Sequence, residues 1–166
     1  MEALEVLKKR RSVRVFEGRP IPGEDLEALV DVARYAATAR NVQPWKFVIV
    51  TDSKILNALS QLGDNARLIA SAKACIVVFC EGTKYYLEDG CAATVNILNA
   101  AAGMGIGSCW VAGDKKPYSP DVLRLLNAPE GLRLVSLIAL GYPKDKEWFR
   151  LADKKPLKEV LRWERF

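Results

Sequence analysis

Apolar positions follow two rhythms along this 166-residue chain. In one they recur every three or four residues, the spacing of a helix face; in the other they alternate or run together, as strands do. The first rhythm predicts a short helix over 3–9, with Leu4 and Leu7 on one side and Lys8 and Lys9 at the end where cations suit the helix dipole. After Pro20 and Pro22, Glu24 and Asp25 mark a first turn, and Leu26, Leu29, Val30, Ala33 and Ala37 carry that helix to about Thr38. A further helix falls near 53–61. The longest runs from about Tyr85 to Ala102. Leu87, Cys91, Val95, Leu98 and Ala102 form one apolar stripe, and Ala92, Ala93, Ile97 and Ala100 make the opposite side apolar too. Such a helix is buried, in a core or at a subunit interface. Ser119-Pro120-Asp121 reads as a helix start with Ser as N-cap, and Pro156 opens a last helix over 157–163.

The second rhythm gives the strands. Ser12–Phe16 alternates and reads as extended, and Lys46–Val50 is a strand candidate. The unbroken run 74–80, ACIVVFC, is expected of a central strand covered on both faces. Leu134–Leu140 is another, closed by Gly141-Tyr142-Pro143, while Gly103, Gly105 and Gly107 read as the end of the long helix. Helices mixed with three or four apolar strands define an α/β or α+β domain with helices on both faces of one sheet. The order is too irregular for a doubly wound nucleotide fold. No repeat, low-complexity tract or linker divides the chain, so one domain over 1–166 is expected.

Composition changes the picture at one point: there is no histidine. That excludes Ser-His-Asp and Cys-His hydrolysis, His-based acid/base catalysis, and His-ligated zinc, iron or haem. Chemistry must come from carboxylates, cysteine, lysine or a bound cofactor. The net charge of +5 is carried by the ends. Residues 1–19 hold six basic and three acidic residues, and 144–166 hold eight basic and five acidic, whereas 20–143 is close to neutral. Either both ends are solvated, or they converge on one anion. The neutral middle argues against a nucleic-acid partner. Cys75, Cys80, Cys91 and Cys109 include no Cys-x-x-Cys pair, so no metal site is expected, and a reducing, cytoplasmic setting fits best. No segment has the length or character of a signal peptide or a membrane span.

Four segments carry candidate chemistry. Arg10-Arg11-Ser12-Val13-Arg14 sets three guanidiniums and a hydroxyl within five residues, which suits a phosphate. In an extended run Arg10, Ser12 and Arg14 point one way and Arg11 the other. Thr38-Ala39-Arg40-Asn41-Val42-Gln43-Pro44-Trp45 is an amide-rich loop able to address a polar heterocycle. Gly103–Gly113 contains a G-x-G-x-G, but it follows a helix rather than opening one, so it is no dinucleotide fingerprint. Asp153-Lys154-Lys155-Pro156 sets two ammonium groups before a helix start. Each alone is equally well read as surface, loop or packing.

Taken in order, these segments resemble the nitroreductase family of flavin enzymes. The resemblance spans nearly the whole chain: RRSVRVF, NVQPW, YYLEDGCAATVNILNAAAGMGIGSCW, LIALGYP and KKPLKEVL. It implies an α+β fold, a mainly antiparallel central sheet flanked by helices, in an intertwined homodimer with FMN at the interface. It implies that Arg10, Ser12 and Arg14 hold the FMN phosphate and ribityl chain, with Arg11 contributing backbone. Lys154, with Lys155, reaches the phosphate from the other end of the chain. Thr38, Ala39 and Asn41 of the second copy contact the flavin edge with Gln43 nearby, and Val111, Ala112 and Gly113 supply backbone near the redox edge. No protein side chain is then catalytic, because the flavin carries the chemistry. The implied activity is electron transfer from NADH or NADPH to nitroaromatic, quinone or related small-molecule acceptors. The alternatives are a non-catalytic flavin-binding protein, and a flavin reductase or reductive dehalogenase of the same fold.

Overall fold

A computed structural model describes residues 2–166. Among these, four strands, β1 (Trp45–Val50), β2 (Ala74–Glu81), β3 (Gly107–Ala112) and β4 (Leu132–Gly141), form one sheet. Its order is β1-β2-β4-β3, and every neighbouring pair is antiparallel. The helices are α1 (Ala3–Lys9), α2 (Gly23–Ala33), α3 (Ser53–Ser60), α4 (Tyr86–Gly103), α5 (Ser119–Leu125) and α6 (Leu157–Val160). The α+β class and the helix-flanked antiparallel sheet expected from the sequence are therefore present.

The apolar run of β2 lies at the centre because both its faces are covered. Ala74, Ile76, Val78 and Cys80 join the core under α2 and α4. Cys75, Val77 and Phe79 join a second core with Leu56 and Leu59 of α3 and Val122 of α5. Side chains such as Phe79, Ile76 and Val77, fully removed from water, each contribute about 1.5–3 kcal/mol. β4 alternates in the same way except at one point. Val78 pairs with Ser136 and Phe79 with Leu134, so Val135 is a bulged residue. The bulge brings Val135 and Ser136 together on the α4 side, where the Ser136 hydroxyl meets Thr94 Oγ1 at 2.8 Å and both residues are fully buried.

Several expectations are corrected. Leu4 and Leu7 of α1 face outward, and it is Val6 that packs inward. Helix α2 stops at Ala33 rather than Thr38. The Tyr35 and Ala36 amides bond to Val32 and Ala33 carbonyls in tighter turns, and beyond buried Ala36 the chain has no further core-facing position before Pro44. α5 has Tyr118, not Ser119, at its N-cap; the Ser119 hydroxyl instead donates to the Gly113 carbonyl. α6 ends at Val160, where Leu161 turns to an extended conformation with φ −105° and ψ 135°, and none of its residues is buried. Strand β3 was hidden by its glycines. Gly107 opens it where a Cβ would lie 2.9 Å from both Val13 and Pro143, so only glycine allows that approach. Val13 donates to the Ser108 carbonyl at 2.9 Å, and Ser12 bridges Ser108 in parallel. The 12–16 segment is thus extended as expected, bound to the sheet by single bridges rather than a ladder.

Candidate functional site

Docking of Val13 beside β3 fixes the basic segment, since Val13 and Phe16 are buried and Arg14 is left exposed. The C-terminal segment then lies across it: Arg11 Nη1 donates to the Leu151 carbonyl at 3.5 Å. The result is a groove of about 420 Å³ lined by Lys8, Arg10, Arg11, Ser12, Arg14, Asp153 and Lys154, with Leu7 and Ala152. Arg11 therefore does not diverge from Arg10, Ser12 and Arg14. The chain leaves α1 at Arg10 with φ −54° and ψ 131°, outside the flat strand geometry that would force strict alternation. Among the described residues none of the five cations is ion-paired, so a concentrated positive charge faces solvent beside a single carboxylate. Guanidiniums, an ammonium and a hydroxyl are the donor set a phosphate monoester requires. Lys155 is exposed and does not line the groove.

Cys109 lies beneath it, 3% exposed. Burial pushes this thiol up, opposed by Arg14, by a hydrogen bond with Ser12 and by Arg10.

The loop 38–43 is elsewhere on the chain. Ala39, Arg40 and Val42 line a smaller cavity of about 170 Å³ with Thr83, Lys84, Tyr85 and Asp89. Thr83 Oγ1 is buried there without a hydrogen-bond partner among the described residues. Arg40, Asn41 and Gln43 have φ of 54°, 56° and 53°, a region costing non-glycine residues roughly 1 kcal/mol each, least for Asn. Thr38 is half-buried, whereas Asn41 and Gln43 are exposed. One residue that the sequence reading passed over holds this loop. Asp89 of α4, 4% exposed, accepts from Thr38 Oγ1 and from the Ala39 amide, both at 3.0 Å. A carboxylate in a first helical turn reads from sequence as a dipole complement, and the loop it binds lies about fifty residues earlier.

The third group divides. Val111 is buried, and Ala112 is exposed at the end of β3. Gly113 is already engaged: its amide donates to Val135 O at 3.1 Å, and its carbonyl accepts from Ser119. Its lack of a side chain is what the packing needs, since a Cβ there would lie 2.5 Å from Leu134 Cγ. One chain thus brings together Arg10, Arg11, Ser12, Arg14 and Lys154, and holds the 38–43 loop around a different cavity.

The chain belongs to the Nitroreductase family, whose profile matches residues 7–78 and 81–142. It is 38% identical over 161 residues to an Archaeoglobus fulgidus protein provisionally named an NADH dehydrogenase/NAD(P)H nitroreductase, covering 93% of this chain and 92% of that one. A crystal structure from Parabacteroides distasonis with the same provisional name superposes with a TM-score of 0.91 at 29% identity, over 99% of this chain and 98% of the other. A Desulfovibrio desulfuricans protein, provisionally named a nitroreductase and crystallised with FMN, shares the fold with a TM-score of 0.86 at 24% identity, over 100% and 98% of the two chains. The family membership expected from the sequence motifs is thereby established, and with it the broad class of oxidoreductase.

Proposed function

We propose that this chain is an FMN-dependent oxidoreductase passing electrons from NADH or NADPH to nitroaromatic, quinone or related small-molecule acceptors, and that it works as a homodimer. The observation that carries the reading is the groove lined by Arg10, Ser12, Arg14 and Lys154 from the two ends of the chain, whose cations have no competing ion pair among the described residues. A flavin mononucleotide ends in a phosphate, and this donor set fits it. When bound, FMN supplies hydride acceptance from the nicotinamide and electron delivery to the acceptor.

The chain's own residues bind and orient. Arg10 and Arg14 offer paired donors to phosphate oxygens, Ser12 adds a hydroxyl, and Lys154 adds a compact charge. Arg11 clips the C-terminal segment in place through Leu151. Val111, Ala112 and Gly113 supply backbone near the redox edge, with Ala112 exposed where β3 ends and its carbonyl accepting from the Tyr118 hydroxyl. Thr38, Ala39, Asn41 and Gln43 meet the flavin edge of the other copy. This division across two copies is supported by apolar surface left open on one: Leu4 at 71%, Leu157 at 69%, Val160 at 63% and Trp163 at 80% exposure. Among the described residues no helix is long and apolar enough to cross a membrane. All four cysteines are free thiols, which supports a reducing, cytoplasmic setting.

The purified protein is expected to be yellow, to release FMN on denaturation, and to be bleached by NADH or NADPH and recoloured by a quinone or nitroaromatic. A colourless protein that takes up no added FMN overturns the reading. FMN binding without turnover by either nicotinamide selects the flavin-binding alternative.

A further inference from the structure

We infer that Asp89 is the positioning residue of the 38–43 loop: a buried carboxylate that holds three left-handed, non-glycine residues in register for the cofactor. The inference rests on the reading, proposed above, that this loop meets the flavin.

The loop has little to hold it otherwise. Its own backbone makes only two turn hydrogen bonds, Asn41 N to Thr38 O at 3.3 Å and Val42 N to Ala39 O at 3.2 Å, with Gln43 Nε2 to Asn41 O at 3.4 Å, and no side chain from 37 to 43 is buried. Arg40, Asn41 and Gln43 all sit at positive φ, so the relaxed backbone would leave this conformation unless something fixed both of its ends.

Asp89 does this with both oxygens. Oδ1 accepts the Ala39 amide, and Oδ2 accepts the Thr38 hydroxyl. Thr38 Oγ1 in turn accepts from the Gln43 amide at 3.2 Å. One carboxylate thus anchors the start of the loop directly and its end through a single hydroxyl, with Asn41 held between. Asp89 is itself fixed in the first turn of α4, where its amide bonds to Tyr85 O at 3.0 Å. Among the described residues no cation pairs with it, so its charge is devoted to the loop's N–H and O–H groups. An amide of the same shape makes weaker, neutral hydrogen bonds in place of charge-assisted ones, and its N–H₂ reverses the bond to the Thr38 hydroxyl.

The test uses the full-length protein, with hydrogen–deuterium exchange read before and after FMN is added, together with FMN affinity and the separate values of kcat and KM. Asp89→Asn is expected to speed exchange of the Ala39 and Gln43 amides at least about tenfold while β2 and the middle of α4 keep their protection, and to weaken FMN binding about tenfold. Thr38→Val, a milder change at the rim, is expected to release Gln43 alone; Thr38→Ser keeps the hydroxyl and restores wild-type exchange. The double variant Asp89→Asn with Thr38→Val is expected to be no looser than Asp89→Asn alone, because both break one chain of bonds. Unchanged loop exchange in Asp89→Asn and Thr38→Val overturns the inference. So does exchange accelerated throughout β2 and α4, the mark of a general fold defect, or a loosened loop with FMN affinity and KM unchanged. A wild-type protein that binds no FMN instead overturns the proposed function, while loop exchange still judges Asp89.

Discussion

Arg14 stands exposed in the basic groove, and among the described residues no carboxylate is paired with it. Removing it as Arg14→Ala is expected to weaken FMN binding by about 2 kcal/mol, roughly thirtyfold, as fits loss of one charge-assisted contact. Titration of the flavin-free protein by fluorescence quenching measures it, and unchanged affinity would take Arg14 out of the site. Cys109, close by, is a contrast. It is buried, and burial holds its thiol protonated against the pull of Arg14 and Arg10. Cys109→Ser is expected to leave reductase activity largely intact in a steady-state assay with NADH or NADPH. At this scale the sequence was readable where chemistry is concentrated in consecutive positions, as in Arg10-Arg11-Ser12-Val13-Arg14. It was not readable at Asp89, whose partners become neighbours only when α4 packs beside the loop.

Strands β2 and β4 could be read directly because burial on both faces demands an unbroken apolar run. β3 could not, since Gly107 and Ser108 serve the approach of Val13 rather than strand propensity. Burial of β2 has a titration consequence. Cys75 and Cys80 are pushed from an ordinary value of 9.0 up to about 12, chiefly by desolvation. The folded state therefore retains protons that the unfolded chain gives up. Their contribution to stability is complete below about pH 9 and falls as pH rises toward about 12. Denaturation midpoints are expected to decline over that range, with a shallower decline in Cys75→Ala. Between α4 and β4, a Cβ on Gly90 would lie 2.7 Å from Val135 Cγ2 and 3.0 Å from Cys80 Sγ. Gly90→Ala overpacks the bulge and is expected to cost about 1–3 kcal/mol, seen as a lower urea midpoint with an unchanged slope.

The charge asymmetry becomes intelligible only for the whole molecule. Six basic residues in the first nineteen and eight in the last twenty-three are far apart in sequence, and composition alone left open whether they meet. Helix α1 and the segment around Leu151 bring Arg10, Arg14 and Lys154 to one groove. FMN affinity is accordingly expected to fall as salt rises from about 0.05 M to about 0.5 M, as screening tightens around exposed cations. The exposed apolar residues of 157–166 predict self-association. Sedimentation is expected to give a dimer, and a chain ending at Pro156 a monomer. Because the groove is closed from both ends, it has an order in time as well as in space. Arg10 and Arg14 leave the ribosome early and Lys154 only after the entire sheet has been made. During synthesis the growing chain therefore holds only half of the groove until the segment around Lys154 has followed the sheet. Cleavage ahead of Lys154 would disarm the groove while leaving both cores in place.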